Sequence, residues 1–379
     1  MATSEPSLLT AVLQAAPPSV RRKLRHLLSE EPAEAAATAH LRYVNDDEAG
    51  IRRQPWGRGF TYFDAKGKRI QDKTVRARFQ ELAIPPAWSD VWICADTAGH
   101  IQATGRDDEG RKQYIYHARW EAVRNRVKFE RLALFGLVLP ALRRQLDRDL
   151  AQRHFPRTRV IALVIRLLDA TYIRIGNPEY AKNGAYGLTT LLNDHLTVSG
   201  ARLHFSFVGK QGRQQEIDLR DQELARLTRR CQELPGQHLF VYEDEKGEWR
   251  PLTSGDVNDY LHRHMGRRFS AKDFRTWGAT VTVTQHLLTA ASSAQETGAD
   301  AAVKAAIAAA IAAAATQLGH TPAVCRTYYV HPAILDRYRR GTLAEAATEW
   351  PGLSAAEATT LAVLLDELDV QLAQLEPWP

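Results

Sequence analysis

Hydrophobic and polar positions divide the chain into three stretches of different rhythm. Over residues 1–38, apolar positions recur at helical spacing in LLTAVLQAAPPSVRRKLRHLLSEEPAEAAATA, but Pro17-Pro18 and Pro32 interrupt them. This stretch reads as a helical or partly disordered leader, with RRKLRH as a solvated face. From about 41 to 120 the pattern turns strand-like. Strands are predicted at 59–63, 91–94 and 100–104, separated by the turns DAKGK and DTAGH. A short helix is predicted over 76–82, ended by IPPAW. Beyond 120 helical spacing dominates. VRNRVKFERLALFGLVLPALRRQLDRDLAQ predicts a helix with a break near Pro140, and VIALVIRLLDATYIRIG a strongly apolar helix ending in glycine. Strands at 195–198, 202–208 and 214–219 predict a β-meander, joined by Ser199-Gly200 and by Gly209-Lys210-Gln211-Gly212. Helices follow over 221–233, 253–265, 271–290 and 300–317, and an amphipathic one over 353–375.

The expected fold is therefore α+β with two main domains. A leader over 1–40 precedes a small basic α+β domain over 41–120 and a mainly helical domain over 121–379. The linker near 117–127 is the expected hinge.

Composition narrows the function only a little. A chain of 379 residues has room for two or three domains. Its formal charge of +6 is consistent with a polyanionic partner without requiring one. The three cysteines, Cys94, Cys231 and Cys325, lie far apart and form no CxxC pair. That argues against a disulfide framework and a zinc site, and fits a reducing cytoplasm. No basic region followed by an apolar run opens the chain, so no signal peptide is expected. The alanine-rich run over 301–315 is too short for a membrane span and is interrupted by Lys304; it reads as a packed helix.

The chemistry concentrates in LGHTPAVCRTYYVHP, residues 318–332. Gly319 suits a helix C′ position, Thr321 an N-cap and Pro322 the first helical position, so a new helix is predicted over 323–330. His320 in the turn and Tyr329 on that helix can then face one site. Taken singly, each candidate has an ordinary reading. His320 and Tyr329 can be core and interface residues. Arg174 can serve the C-terminal end of its helix. Lys210 can aid solubility at a hairpin tip, and Arg275 can pair with Asp273. Taken together, two guanidiniums, an ammonium, an imidazole and a phenol are what attack by a tyrosine on a phosphodiester needs. The transition state spreads negative charge over the phosphorus oxygens, and arginine is the best forked donor for them. A second candidate stretch, TGRDDEGRKQYIYHARW, sets Gln113, Tyr114 and Tyr116 among basic residues. Tyr114 and Tyr116 would share one strand face. That fits phosphate and stacking contacts as well as it fits an edge strand with half-buried tyrosines.

In order along the chain, YIRIGNPEYAKNGAYGLTTL, FVGKQG, KDFRTWGAT and LGHTPAVCRTYYVHP, with RKQYIYH upstream, resemble the type IB DNA topoisomerases of the bacterial and poxvirus kind. The resemblance covers roughly residues 41–350. It implies a two-domain clamp around duplex DNA, with a catalytic domain of the tyrosine recombinase and topoisomerase IB type. It implies Tyr329 as nucleophile, Arg174, Arg275 and His320 on the non-bridging oxygens, and Lys210 as general acid. Some bacterial relatives carry Asn at the position of His320. The resemblance also implies DNA contacts from Gln113, Tyr114, Tyr116 and Tyr180. It selects Tyr329 over Tyr328; adjacent helical residues point about 100° apart, so only one can face a phosphate. Such an enzyme needs no cofactor, ATP or obligatory metal, and no protein partner beyond its monomer. It would work on the nucleoid in the cytoplasm, away from membranes. Two alternatives stand beside it. A tyrosine recombinase usually has His where this chain has Lys272, and a helical rather than β-rich N-terminal domain. A non-catalytic DNA-binding protein would be suggested by a missing nucleophile or arginine, and none is missing.

Overall fold

The computed structural model describes residues 7–25, 33, 36, 37, 39–293 and 300–375. Two compact units emerge, one of Ser29–Phe129 and one of Met1–Leu28 with Glu130–Pro379. The first helices, α1 (Leu8–Ala15) and α2 (Pro18–Arg25), thus belong to the larger unit rather than to a separate leader. Ser7 caps α1 by accepting from the Thr10 N–H, and Pro18 opens α2. Leu9, Leu13, Val20 and Leu24 are buried in the main core, so the Pro17-Pro18 break is a turn between two packed helices. The rest of the expected leader lies largely outside the described residues.

The smaller unit is an antiparallel sheet built from β1 (Ile51–Trp56) and β2 (Gly59–Phe63), then, after α3 (Lys73–Glu81), from β3 (Ser89–Ile93), β4 (Ile101–Arg106) and β5 (Lys112–Tyr116). Strand order is β2-β1-β3-β4-β5. One face packs Ile51, Tyr62, Val91, Ile93 and Ala103 against Phe79 of α3. Strand β1 had no sequence signal: IRRQPW lacks apolar alternation, and Arg53 takes an inward position. Its guanidinium donates to the carbonyls of Ile84, Pro85 and Trp88 and lies over the Phe60 ring, which offsets its burial.

The chain passes back into the larger unit along α4 (Ala118–Leu150), which runs 33 residues without a break at Pro140. Residues 132–142 of α4 are all buried. Packing on every side of that turn outweighs the roughly 3 kcal/mol a helix-interior proline costs. The division between the units falls inside α4, so the segment expected as a hinge near 117–127 is helical from Ala118 onward. There follow α5 (Arg157–Thr171), the short α6 (Pro178–Ala181) and an antiparallel meander of β6 (Leu196–Ser199), β7 (Arg202–Val208) and β8 (Gln214–Arg220). Next come α7 (Gln222–Gln232), a small hairpin of β9 (Val241–Glu243) and β10 (Trp249–Pro251), and α8 (Ser254–Met265). The last helices are α9 (Ala271–Ser293), α10 (Asp300–Leu318), α11 (Pro322–Tyr328), α12 (Pro332–Arg339) and α13 (Ala355–Asp366). The final element is shorter than expected. It stops at Asp366, and Asp369, at φ 54°, turns the chain so that Val370 re-enters the core.

Helix α10 has 19 residues, so by length and composition alone it could cross a membrane; the shorter run seen in the sequence understated it. Its Ile307, Ala310, Ile311, Ala314 and Leu318 side is buried in a second core with Ala279, Val283 and Leu287 of α9.

Candidate active site

Main-chain geometry fixes Arg174. Helix α5 ends at Tyr172, which takes a left-handed conformation (φ 55°, ψ 22°). The extended segment after it accepts two backbone bonds of 2.8 Å, from Leu188 N–H to the Arg174 carbonyl and from Thr189 N–H to that of Ile175. Gly187 makes this approach possible. A Cβ there would stand 2.5 Å from the Arg174 oxygen and 2.6 Å from the Gly176 nitrogen.

Arg275 projects from the start of α9 and is only 5% exposed. It does not pair with Asp273, whose carboxylate accepts from the Ser270 N–H and hydroxyl. Its guanidinium donates to the Tyr172 carbonyl, to the Leu318 carbonyl at 2.7 Å and to His320 Nε2 at 3.2 Å. Arg174 Nη2 reaches the same Nε2, also at 3.2 Å. A guanidinium can only donate, so Nε2 is an acceptor and the ring proton sits on Nδ1. Burial, then Arg174 and Arg275, with smaller contributions from Arg213 and Lys210, pushes His320 down to about 4. The imidazole is therefore neutral at physiological pH. Burial, with Arg174 next, lowers Arg275 to about 10, which leaves it cationic there.

The turn carrying His320 closes α10 as a Schellman motif. The His320 N–H bonds the Ala315 carbonyl at 2.9 Å and the Gly319 N–H that of Thr316 at 3.1 Å. Gly319 supplies the left-handed residue at φ 64°. Thr321 then caps α11 and Pro322 begins it. This helix ends one residue earlier than its sequence suggests: Tyr329 is the C-cap, at φ −128° and ψ −20°. The Thr280 hydroxyl of α9 lies 3.1 Å from the Tyr329 carbonyl and accepts from the His331 N–H, which anchors the turn. The Tyr329 ring lies 4.6 Å from the His320 ring, centre to centre, and the Arg275 guanidinium carbon is 5.8 Å from its centre. Tyr328 instead is 42% exposed.

Lys210 sits at the exposed tip joining β7 to β8. The Gly209 N–H bonds the Arg213 carbonyl at 2.8 Å, and Gln211 and Gly212 take φ values of 65° and 68°. Lys210 and Arg213 both act on the His320 charge, so the tip lies within electrostatic reach of the imidazole. Arg213 was not anticipated; its place in GKQGR was the available signal. Gln215, also not anticipated, fills the gap between tip and turn. A Cβ at Gly209 would meet its Cγ at 3.0 Å, and one at Gly319 its Oε1 at 2.8 Å. It lines a narrow cavity together with Tyr172, Arg174 and Arg275.

Arg174, Arg275, His320 and Tyr329 thus converge, with Lys210 at the margin. Tyr180 is exposed on α6. In the smaller unit, Tyr114 and Tyr116 stack on one face of β5, 5.8 Å apart and 5° from parallel. Gln113 points to the other face, and its amide donates to Asp107 at 2.8 Å. Among the described residues no three His, Cys, Asp or Glu side chains are grouped to hold a metal ion.

Comparisons with known proteins give the family. Residues 117–350 match the family model for the catalytic core of eukaryotic DNA topoisomerase I, and residues 59–107 match that for the N-terminal domain of bacterial DNA topoisomerase IB. The chain belongs to the type IB DNA topoisomerase family. It is 32% identical over 297 residues to DNA topoisomerase 1B of Acanthamoeba polyphaga mimivirus, covering 76% of this chain and 88% of the viral protein. To the DNA topoisomerase 1B of Vaccinia virus (strain Copenhagen) it is 24% identical over 265 residues, covering 68% and 80%. DNA topoisomerase I of Monkeypox virus matches to the same extent, at 24%.

Proposed function

We propose that this chain relaxes supercoiled duplex DNA by transient cleavage of one strand. The Tyr329 phenol oxygen attacks a backbone phosphorus, and the phenol proton is lost to water. A bond forms between Tyr329 and the 3′-phosphate as the bond to the 5′ oxygen breaks, and Lys210 protonates that oxygen. The 5′-alkoxide is the poorer leaving group, so the acid is needed on that side. Arg174 and Arg275 donate to the non-bridging oxygens, where transition-state charge accumulates. An incoming phosphate oxygen displaces His320 Nε2 as their shared acceptor. To donate to that oxygen, His320 must then carry a proton on Nε2. The phosphotyrosine retains the ester energy, so the reverse step reseals the strand without ATP. The side chains supply the positive charge, and no metal is required.

In this reading the β-rich unit and the helical unit hold opposite sides of one duplex. The free 5′ strand turns about its intact partner, driven by torsion. Tyr114, Tyr116, Gln113 and Tyr180 contact the duplex near the cleavage point. The protein acts as a monomer on chromosomal DNA in the cytoplasm.

The observation that carries the reading is the sharing of one imidazole nitrogen by two guanidiniums, each at 3.2 Å, against the Tyr329 ring. The test is relaxation of a plasmid lacking any special recombination site, in EDTA and without ATP. Stepwise relaxation is expected. A requirement for ATP, for a divalent metal or for a defined site would overturn the reading.

A further inference from the structure

We propose that the β1–β2 hairpin is a second contact for duplex DNA, reaching backbone phosphates beyond those beside Tyr114 and Tyr116. This deepens the reading of the chain as a DNA-relaxing enzyme and rests on it. Strand β1 lies outside both segments that match the family models, 59–107 and 117–350. The register sets Tyr114, Thr104, Trp92 and Arg52 in one row across the sheet. That row is on the face opposite the core of Ile51, Ile93 and Ala103. Trp56, four residues along β1 from Arg52, lies on the same face. It is 60% exposed, more than any other large apolar side chain described.

The exposed indole is not loose. The Arg69 guanidinium lies 4.6 Å from its ring centre, and Arg69 Nε donates to Thr61 Oγ1 at 2.9 Å. Ring and cation form one plate at the hairpin end. Arg58 sits beside it in the two-residue turn between Trp56 and Gly59, with Gly57 at φ 57°. Behind the plate, Arg52 joins Arg106 and Lys112 around a polar basin that also holds Asp46 and Asp90. Asp46 is engaged by Lys112 at 2.7 Å, and Asp90 stands 3.7 Å from Arg106. Among the described residues Arg52 and Arg58 form no ion pair. Arg106 and Lys112 are thus engaged, and Trp92 and Thr104 of the row are buried, so the cations offered to a ligand are Arg52, Arg58 and Arg69. Three arginines around a flat aromatic ring are complementary to a sugar–phosphate backbone, where arginines take the phosphates and the ring packs on deoxyribose. An apolar protein partner would find too many charges here.

The spacing sets the reach. Neighbouring strands lie about 4.8 Å apart. With β1 three strands from β5, Arg52 stands about 14 Å from Tyr114 across the sheet; Trp56, four residues or about 14 Å further along β1, is about 20 Å away, or about six phosphate steps of 3.4 Å. The hairpin therefore lengthens the protected duplex by about six base pairs.

The test uses the full chain carrying Tyr329→Phe, so that binding is read without cleavage. Affinity for a 30-base-pair duplex is measured against salt concentration. Arg52→Gln with Arg58→Gln should lower the slope of log K against log salt by about 2, one phosphate each. Trp56→Ala should weaken binding about fivefold with the slope unchanged. Trimming the duplex by about six base pairs at the correct end should abolish both differences. Lys304→Gln on α10 is the control for general loss of charge, and melting temperatures confirm folding. Wild-type slope and affinity in both hairpin variants, or a loss equal to that of Lys304→Gln, would overturn the proposal. Adduct formation by the chain with Tyr329 intact is scored separately. The hairpin proposal can thus fail while the cleavage reading stands, and the reverse.

Discussion

Adding one methyl group at Gly187 tests how strongly the main chain governs the site. Gly187 belongs to no proposed catalytic role and has an extended φ of −158°, so alanine there carries no intrinsic backbone strain. What it meets is backbone: the Arg174 oxygen at 2.5 Å, the Gly176 nitrogen at 2.6 Å and the Gly176 Cα at 2.7 Å. None of these can rotate away, so the 174–176 segment must move outward and carry the Arg174 guanidinium with it. Overpacking of this kind costs about 1–3 kcal/mol of stability. In a unit of this size that corresponds to about 2–4 °C of Tm for each kcal/mol. A displacement near 1 Å at a positioned group costs about 100-fold in rate. The assay is single-turnover adduct formation on a duplex whose cleaved end diffuses away, at temperatures below melting. Gly255→Ala is the control. Its Cβ would meet only Thr253 Oγ1 at 3.5 Å, and alanine in that helical turn is neutral or stabilising by up to about 1 kcal/mol. A Gly187→Ala chain that melts and cleaves like wild type would refute the claim that this close approach seats Arg174.

Three further outcomes follow from the same geometry. Arg275→Lys keeps the charge but cannot serve the Tyr172 and Leu318 carbonyls together, and each orphaned carbonyl costs about 1–3 kcal/mol. Cleavage should fall about 10²–10³-fold with a lower Tm, and an unchanged rate would mean the fork is not used. Lys210→Ala should slow cleavage of ordinary DNA about 10²–10⁴-fold. It should recover largely on a 5′-bridging phosphorothiolate, whose sulfur leaves without a proton; failure to recover would remove the acid role. For His320 the folded value of about 4 lies below the ordinary 6.5, so the folded chain binds fewer protons than the unfolded one between those values. Stability is therefore lost as pH falls from 6.5 toward 4. The full shift would be worth about 3 kcal/mol, and about 1 kcal/mol after allowance for solvent screening of a half-exposed ring. His320→Gln should flatten that part of the Tm-against-pH curve, and a curve identical to wild type would show that other groups set it.

Much of the site could be seen in the sequence because each part sits at a break in pattern. Gly319, Thr321 and Pro322 mark one helix end and the next start, and the chain uses them that way. The GKQG tip and its two strands were legible from alternation and turn residues. The exact end of α11 was not. Whether Tyr329 continues the helix or caps it depends on Thr280 from a distant helix, which periodicity does not carry. Pro140 misled for a related reason: a local rule met a fully buried turn, and packing won. Strand β1 escaped because Arg53 occupies an inward position, satisfied by three carbonyls from a loop over thirty residues away. The place of α1 and α2 was hidden too; an apolar stripe states that a helix is buried, not against what. Gln215 and Arg213 lie beside a motif residue but have no pattern of their own.

The central claim is that one phenol, held against two guanidiniums, takes the DNA. It is tested most directly by trapping the covalent complex with duplex labelled at the scissile phosphate, which stays on the enzyme, digesting it and mapping the labelled tyrosine. The label should fall on Tyr329 and never on the exposed Tyr328. Tyr329→Phe should bind duplex without forming the adduct, while Tyr328→Phe still forms it. Label on Tyr328, or an adduct from Tyr329→Phe, would contradict the account.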